Sequence, residues 1–298
     1  MPRRDDPPRS GAPLPSEPAP ALGRGPSPAA DLGGFFALRT DGQAPENAVP
    51  LAELYAGNAA PLAARIARVA ARLEAREPRV AASIAQLGLA ARLWSLALAV
   101  TVVERRLPEE FDPVRLHWDS AGSTPDDLWL APAPPAPAAP RSHPAAPTRA
   151  AARAAHGVGA TRAVSRDPSH EEMAAGLFSL VAERHLVPLA AAVRSVTPVS
   201  ERLLWGNSAS ALVGSLQQLS AWCEERDRPG DAALARALVD DVLGHRVFRG
   251  TGTLSGTEFR RSTCCLYYRA GGGLCGDCVF RGEEGPRPPR AVRSARPG

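Results

Sequence analysis

The sequence predicts a mainly α-helical protein, with a helical domain, a small β-hairpin and a cysteine-rich segment at its C-terminal end. Apolar residues recur at helical spacing through most of 50–107 and 169–248, which is the pattern of helices that bury one face. A shorter alternating stretch within 111–130 is typical of a hairpin. Four of the five cysteines lie in the 15 residues 264–278, so we expect their thiols to meet in space.

Three stretches of the sequence are predicted to have no folded core of their own. They are rich in Pro, Gly, Ala and Arg and poor in large apolar residues, so they bury too little surface to offset the entropy of ordering them. The predicted organisation is a disordered N-terminus at 1–30, an N-terminal helical part with the hairpin at 31–130, a Pro/Ala-rich linker at 131–168, a second helical part at 169–248, a cysteine-containing segment at 249–280 and a disordered tail at 281–298.

The sequence of the N-terminal helical part predicts two helices within 50–107. Pro61 and Pro78 occupy positions that suit a first helical turn, where proline is tolerated. The longest apolar stretch is 80–103, interrupted by Gln86 and Arg92. Its most apolar portion is too short to cross a bilayer, so we expect a buried core helix and no membrane span. Downstream, 114–118 alternates, 120–127 supplies turn residues and 128–130 is apolar again, which predicts the hairpin.

The second helical part begins with a capping signal. Ser169 with Glu172 three residues later predicts a capping box. Pro188 lies inside the following apolar pattern and is expected to kink or break that helix. Thr197 followed by Pro198 resembles an N-cap with proline at the first helical position, and it predicts the start of a longer helix.

Charge and targeting signals narrow the class of function. The net charge is +4 and every one of the 35 basic residues is arginine. The linker 131–168 carries five of them against one aspartate, so the folded parts are close to neutral and no nucleic-acid surface is predicted. The N-terminus is charged and proline-rich without an apolar core segment, so we expect no signal peptide and a cytoplasmic location. A reducing compartment favours metal binding over structural disulfides for clustered cysteines.

The cysteine run leaves three chemistries open. Cys275 and Cys278 have the spacing of a zinc-binding pair, but Cys264 and Cys265 are adjacent and are awkward for a single ion. A two-iron cluster relaxes that demand, because each iron needs only two of the four thiolates. Disulfides or free thiols are the third alternative. We favour the iron–sulfur cluster over zinc, and zinc over disulfides.

The residues around the cysteines suit an electron carrier. Arg260, Arg261 and Arg269 either stabilise the negative charge of a reduced cluster or are ordinary solvated charges. The glycines at 271–273 and 276 are expected to let backbone N–H groups approach the sulfurs. Trp205-Gly206-Asn207 is unusual inside a helix, and we hypothesise that it marks a place near the cluster or its substrate. Cys223 is expected to be a buried apolar residue.

Two stretches resemble a known family. The run 259–269 followed by Gly-Gly-Gly-Leu-Cys-Gly-Asp-Cys at 271–278 resembles the C-terminal signature of FhuF-type ferric-siderophore reductases, and 199–210 resembles an upstream part. The specific likeness covers about 170–280. Nine residues separate the second and third cysteines here, where the family pattern has ten.

The resemblance implies a cofactor, a substrate and partners. It implies a [2Fe–2S] cluster whose ligands are Cys264, Cys265, Cys275 and Cys278, with no catalytic residue beyond the cluster. The implied activity is an oxidoreductase, a ferric reductase that reduces Fe(III) in hydroxamate-type siderophores to Fe(II) for iron acquisition. The chain lacks a dinucleotide fingerprint, so we expect a separate electron donor protein or reductant. The alternatives are an electron-transfer or iron-sensing protein with the same cluster, and a zinc-stabilised binding module.

Overall fold

The computed structural model describes residues 32–40, 44–124, 126–132, 169–271 and 273–281. The stretches predicted to be disordered therefore lie outside the described residues, apart from 131, 132 and 281 at their edges. Within the described residues the chain is mainly helical with small antiparallel strand pairs, which confirms the predicted fold class.

The helices supply most of the described structure. They are α1 (Leu51–Tyr55), α2 (Ala60–Leu73), α3 (Pro78–Val103), α4 (His170–Phe178), α5 (Val187–Val196), α6 (Glu201–Glu225) and α7 (Pro229–Gly244). Short 3₁₀ turns occur at Gly34–Phe36, Arg246–Phe248 and Tyr267–Ala270.

The central helix α3 explains where the core lies. Its residues are buried along almost the whole length, including Trp94, and it packs along α6 and against α2. The two polar interruptions seen in the sequence are also buried. Arg92 donates from Nε to Asp127 over 2.8 Å, so its charge is paired, while Gln86 faces α6.

Two helical segments, Pro78–Val103 and His170–Val196, are long and apolar enough to cross a membrane by length and composition. Their most apolar windows are 78% and 50% buried inside the protein. Burial of 78% is typical of a core helix, which agrees with the prediction of a buried core helix at 80–103.

The helix around Pro188 is continuous, so the predicted break does not occur and the predicted kink stays a prediction. The capping box at Ser169 and Glu172 is present, but the chain does not break at Pro188. A π-helical segment, Ser179–Leu186, joins α4 directly to α5. Proline cannot donate a backbone hydrogen bond, and a wider helical turn before it accommodates that loss.

The predicted start of the long helix is wrong by a few residues. Thr197 caps the end of α5 in an extended conformation, and α6 begins at Glu201 after Ser200. The N-terminal part also holds one more helix than predicted, because α1 is a separate short element.

The strands form two small sheets. The predicted hairpin is present as β2 (Leu116–Trp118) and β3 (Leu128–Leu130), and β1 (Val49–Pro50) pairs with β2 at its edge. A second hairpin, β4 (Gly252–Ser255) with β5 (Glu258–Arg261), was not predicted. Its two-residue turn begins with Gly256 at φ 59, the conformation that a tight hairpin turn needs at its first central position.

The second hairpin positions the cysteine segment. Strand β5 packs on α6, and the 3₁₀ turn after the first two cysteines packs on α3. The side chain of Ser83 on α3 donates to the carbonyl oxygen of Cys265 over 2.8 Å. The cysteine segment therefore lies against both central helices.

Candidate metal centre

The four clustered cysteines lie together after β5. Cys265 and Cys278 are buried, and Cys264 and Cys275 are half-buried. The Sγ atoms of Cys265 and Cys275 are 3.6 Å apart. Two thiolates on one tetrahedral metal with bonds of about 2.3 Å lie roughly 3.8 Å from each other, so this pair has the separation of two ligands of one ion.

Backbone amides of the described residues donate to two of the four sulfur atoms. The N–H of Leu266 donates to Cys264 Sγ over 3.2 Å, and that of Phe280 to Cys278 Sγ over 3.5 Å. In each case the donor is two residues after the cysteine. Such N–H···S contacts stabilise thiolates, and they are a recognised influence on the potential of iron–sulfur centres.

The loop conformation explains how these amides reach the sulfurs. Leu266 has a left-handed backbone at φ 70, a conformation that costs energy for a residue with a side chain. Gly271 and Gly273 also have left-handed backbones, each at φ 77. The glycines therefore serve as turn residues, and the N–H groups that contact sulfur belong to other residues. The expectation that the glycines at 271–273 and 276 let backbone N–H groups approach the sulfurs stays a prediction.

The thiols influence one another strongly. Hydrogen bonds from Cys264 and Cys275 lower the pKa of the Cys265 thiol. The same contacts with Cys265 raise the pKa of Cys264 and of Cys275, and burial raises both further. Without a cation only part of this group ionises, because neighbouring thiolates repel one another. A positively charged metal centre removes that restriction.

Two buried donors beside the cysteines have no hydrogen-bond partner among the described residues. They are Nη1 of Arg261 and Oγ1 of Thr263, both on the stretch that leads to Cys264. A buried polar atom without a partner is costly and requires an explanation such as a bound ion. Two unpartnered donors, one of them cationic, fit an anionic group such as a cluster held by four thiolates. The residues present therefore fit a [2Fe–2S] centre.

A buried polar network connects this stretch to the central helices. Asn207 on α6 accepts a 2.6 Å hydrogen bond from Nη2 of Arg261. Its Nδ2 lies 2.9 Å from the carbonyl oxygen of Ser83 and 3.0 Å from Oε1 of Gln86, both on α3. The hypothesis that Trp205-Gly206-Asn207 lies near the cysteines agrees with this geometry. In the sequence, the features that indicated this network were the polar Gln86 within the apolar stretch of α3 and Asn207 inside α6.

The other candidate residues are separated from the thiols or exposed. Arg260 is exposed on β5, and the exposed Arg269 pairs with Glu77. Cys223 is buried in α6 beside Trp222, and burial raises the pKa of its thiol. Tyr268 packs edge-on against Phe280 with ring centroids 5.6 Å apart, which closes the loop on itself.

A cavity of about 800 Å³ adjoins the cysteine segment. One wall is formed by residues 276–278 and the others by α6 and the second hairpin. Its polar and charged lining residues are Ser210, Gln217, Thr253, Ser255, Glu258, Arg260, Asp277 and Arg281. A space of this size holds a small molecule.

The number of protein ligands that one metal needs differs between zinc and a two-iron cluster. Among the described residues, no three His, Cys, Asp or Glu side chains converge on a point that could hold one metal ion. A structural zinc site needs four ligands around one ion, whereas each iron of a [2Fe–2S] cluster takes only two protein thiolates. The close pair Cys265 and Cys275 has the number of thiolates that one iron of such a cluster takes.

The fold and this segment define an iron–sulfur protein with a mainly helical scaffold. Residues 261–280 match the family model described as the FhuF 2Fe-2S C-terminal domain. The match confirms the resemblance predicted from the cysteine run and identifies [2Fe–2S] as the cofactor of this segment. No curated protein and no solved structure is significantly similar to the chain.

Proposed function

We propose that this protein is a cytoplasmic ferric-siderophore reductase that transfers single electrons to Fe(III) in a hydroxamate-type chelate and releases Fe(II). In this proposal the cluster ligands are Cys264, Cys265, Cys275 and Cys278. The observation that supports it is the cavity of about 800 Å³ beside the cysteine segment, because it offers a chelate a place next to the redox centre.

The chemistry requires only electron delivery and release. When bound, the [2Fe–2S] cluster supplies one electron at a time. Hard oxygen donors prefer Fe(III), so each Fe(III) that takes up one electron becomes a loosely held Fe(II) and leaves the chelate. A separate electron donor protein or reductant must return one electron per turnover.

The cavity has the chemistry of a docking place for a polar chelate. The guanidinium groups of Arg260 and Arg281 have no hydrogen-bond or ion-pair partner among the described residues, and they are free to donate to carbonyl or hydroxamate oxygens. Glu258 and Asp277 balance their charge. Three hydroxamate anions neutralise one Fe(III), so a ferric trihydroxamate core carries no net charge and fits a cavity that is neutral overall.

The test is an anaerobic reoxidation experiment on the full chain. Protein with a chemically reduced cluster is mixed with a ferric hydroxamate, and cluster absorbance is followed together with Fe(II) capture by a chromogenic chelator. The proposal predicts cluster reoxidation with one Fe(II) released per electron. Colourless, redox-silent protein contradicts it, and so does a reduced cluster that the chelate leaves untouched.

Two exposed arginines distinguish docking of the chelate in the cavity from a general effect of surface charge on chelate affinity. Arg260→Gln removes a cavity donor, whereas Arg269→Gln removes a charge outside the cavity lining. We expect the first to weaken chelate affinity about fivefold, the scale of one exposed charge-assisted hydrogen bond, and the second to change it less than about twofold. Equal effects contradict docking in this cavity.

A further inference from the structure

Arg261 is a buried cation held by neutral groups. Only 2% of the surface of Arg261 is exposed to solvent. Nε donates to the carbonyl oxygen of Thr263 over 3.0 Å, and Nη2 donates to Oδ1 of Asn207 over 2.6 Å. Neither partner carries a charge, and Nη1 has no partner among the described residues. A buried charge without a counterion is strongly unfavourable.

The other fully buried arginine shows what such a group ordinarily requires. Arg92 is 1% exposed, and its guanidinium forms an ion pair with Asp127 at 2.8 Å. Both arginines are buried, but among the described residues only Arg92 of the two forms an ion pair. A bound anionic group would supply the charge that the protein partners of Arg261 lack.

The neighbours of Arg261 identify that group. The backbone N–H of Arg261 donates to the carbonyl oxygen of Asp277 over 3.0 Å, so this residue lies beside the second cysteine pair as well as shortly before the first. The carbonyl oxygen of Thr263 accepts the hydrogen bond from Nε of Arg261. The buried hydroxyl of Thr263 is a second donor, besides Nη1 of Arg261, that has no partner among the described residues. Both donors lie within three residues of Cys264 in the chain.

We infer that Arg261 is the buried counterion of the [2Fe–2S] cluster and that its fixed charge raises the reduction potential of the cluster. A cluster with four thiolates carries two negative charges when oxidised and three when reduced, so a nearby cation favours the reduced form. Arg261 therefore acts as a positioning residue for redox function. The inference depends on the cluster and not on the reduction of any chelate.

Helix α6 is shaped to hold this cation in place. A Cβ atom at Gly206 would lie 2.1 Å from Thr263 Oγ1 and 3.3 Å from Arg261 Nη2. Glycine at this position leaves the space that both side chains occupy, although it weakens the helix. Asn207, the next residue, then fixes the guanidinium by hydrogen bonding. Consecutive residues of α6 thus provide the space and the anchor.

The first experiment measures the midpoint potential of the cluster in an anaerobic titration without any chelate. Arg261→Gln should reduce the ratio of reduced to oxidised cluster at fixed potential about tenfold, which is about 59 mV for one electron. Arg261→Lys keeps the positive charge, so the midpoint potential of its cluster should stay close to the wild-type value. Arg260→Gln removes the exposed neighbouring charge, which solvent screens, and should change the ratio less than about twofold.

The second experiment separates a counterion from an ordinary packing residue. In a full chain whose four clustered cysteines are serine, the cation has no anion to balance. Arg261→Met in that background should then leave the unfolding temperature unchanged or raise it, because removing an uncompensated buried charge is favourable. The same substitution in the cluster-containing chain should accelerate loss of iron.

Several results would overturn the inference. One is an unchanged potential in Arg261→Gln, or a shift equal to that of Arg260→Gln. Another is a lower unfolding temperature for Arg261→Met in the cluster-free chain, which would indicate a structural role. If Arg261→Gln fails to retain a cluster, retention in Arg261→Lys supports the counterion, and loss in both variants contradicts it.

Discussion

Asn207 Oδ1 accepts a 2.6 Å hydrogen bond from Arg261 Nη2, which joins the middle of α6 to the end of the strand that leads into the cysteines. The Nδ2 group of the same amide is bonded to α3, at Ser83 and Gln86. All four side chains are buried. One asparagine therefore connects the two central helices to the stretch beside the metal centre.

Asn207→Ala should be strongly destabilising. It leaves the buried Nη2 donor of Arg261 and the buried Oε1 acceptor of Gln86 without partners, and each such group costs about 1–3 kcal/mol. We expect a loss of about 3 kcal/mol in the free energy of unfolding, measured by urea titration. Gln217→Ala removes an exposed amide from the same helix and should cost less than about 1 kcal/mol. Equal losses would contradict the central position of Asn207.

Gly206→Ala should destabilise the protein, although alanine favours a helix. The added Cβ would meet Thr263 Oγ1 at 2.1 Å, and overpacking of this kind costs about 1–3 kcal/mol. Gly214→Ala on the same helix has nothing within 4 Å of the added Cβ, so it should stabilise by up to about 1 kcal/mol. The two variants thus have opposite signs in thermal unfolding. Stabilisation by both would show that the space at Gly206 is not needed.

The sequence predicted the helices and the cysteine segment because their signals are local. Pro78 at a first turn, the capping box at Ser169 and Glu172, and the apolar stretch 80–103 each depend on residues close together in the chain. The cysteine run was identifiable for the same reason, since four thiols within 15 residues cannot lie far apart.

The support around the metal centre could not be predicted because it depends on distant residues. Asn207 and Ser83 are separated by 124 positions, and no local pattern indicates that pairing. Arg260 and Arg261 are adjacent residues of the same type, so the sequence does not distinguish them. The pleat of β5 buries Arg261 and exposes Arg260. The second hairpin was missed because 249–262 is rich in Gly, Thr and Ser, a composition that is typical of loops.

Serine substitution tests the ligand assignment directly. Replacing Cys264, Cys265, Cys275 or Cys278 by serine should each lower iron and acid-labile sulfide per chain by most of the wild-type amount, since the proposed cluster needs all four thiolates. Cys223→Ala is the control, because this cysteine is buried in α6. It should cost about 1–2 kcal/mol of stability and leave the iron content unchanged. Full retention of iron in any of the four variants would remove that cysteine from the ligand set.

His185 predicts a pH dependence that is independent of the metal centre. Its Nε2 lies 2.9 Å from the carbonyl oxygen of Phe111 and its Nδ1 lies 3.0 Å from the hydroxyl of Tyr55. The neutral ring satisfies both contacts, by donating to the first and accepting from the second. Burial lowers the pKa of His185 to about 4, below the value of about 6.5 of an unfolded chain.

Between these two pKa values the unfolded chain binds a proton that the folded protein does not, so stability falls as the pH drops from about 6.5 to 4. The His185 contribution should decrease by about 3 kcal/mol across this window. The measurement compares wild type with His185→Gln in urea titrations at several pH values, in the background with four serines because acid releases cluster sulfide. The difference between the two proteins should shrink as the pH falls, and a difference that is constant with pH would contradict a neutral buried ring.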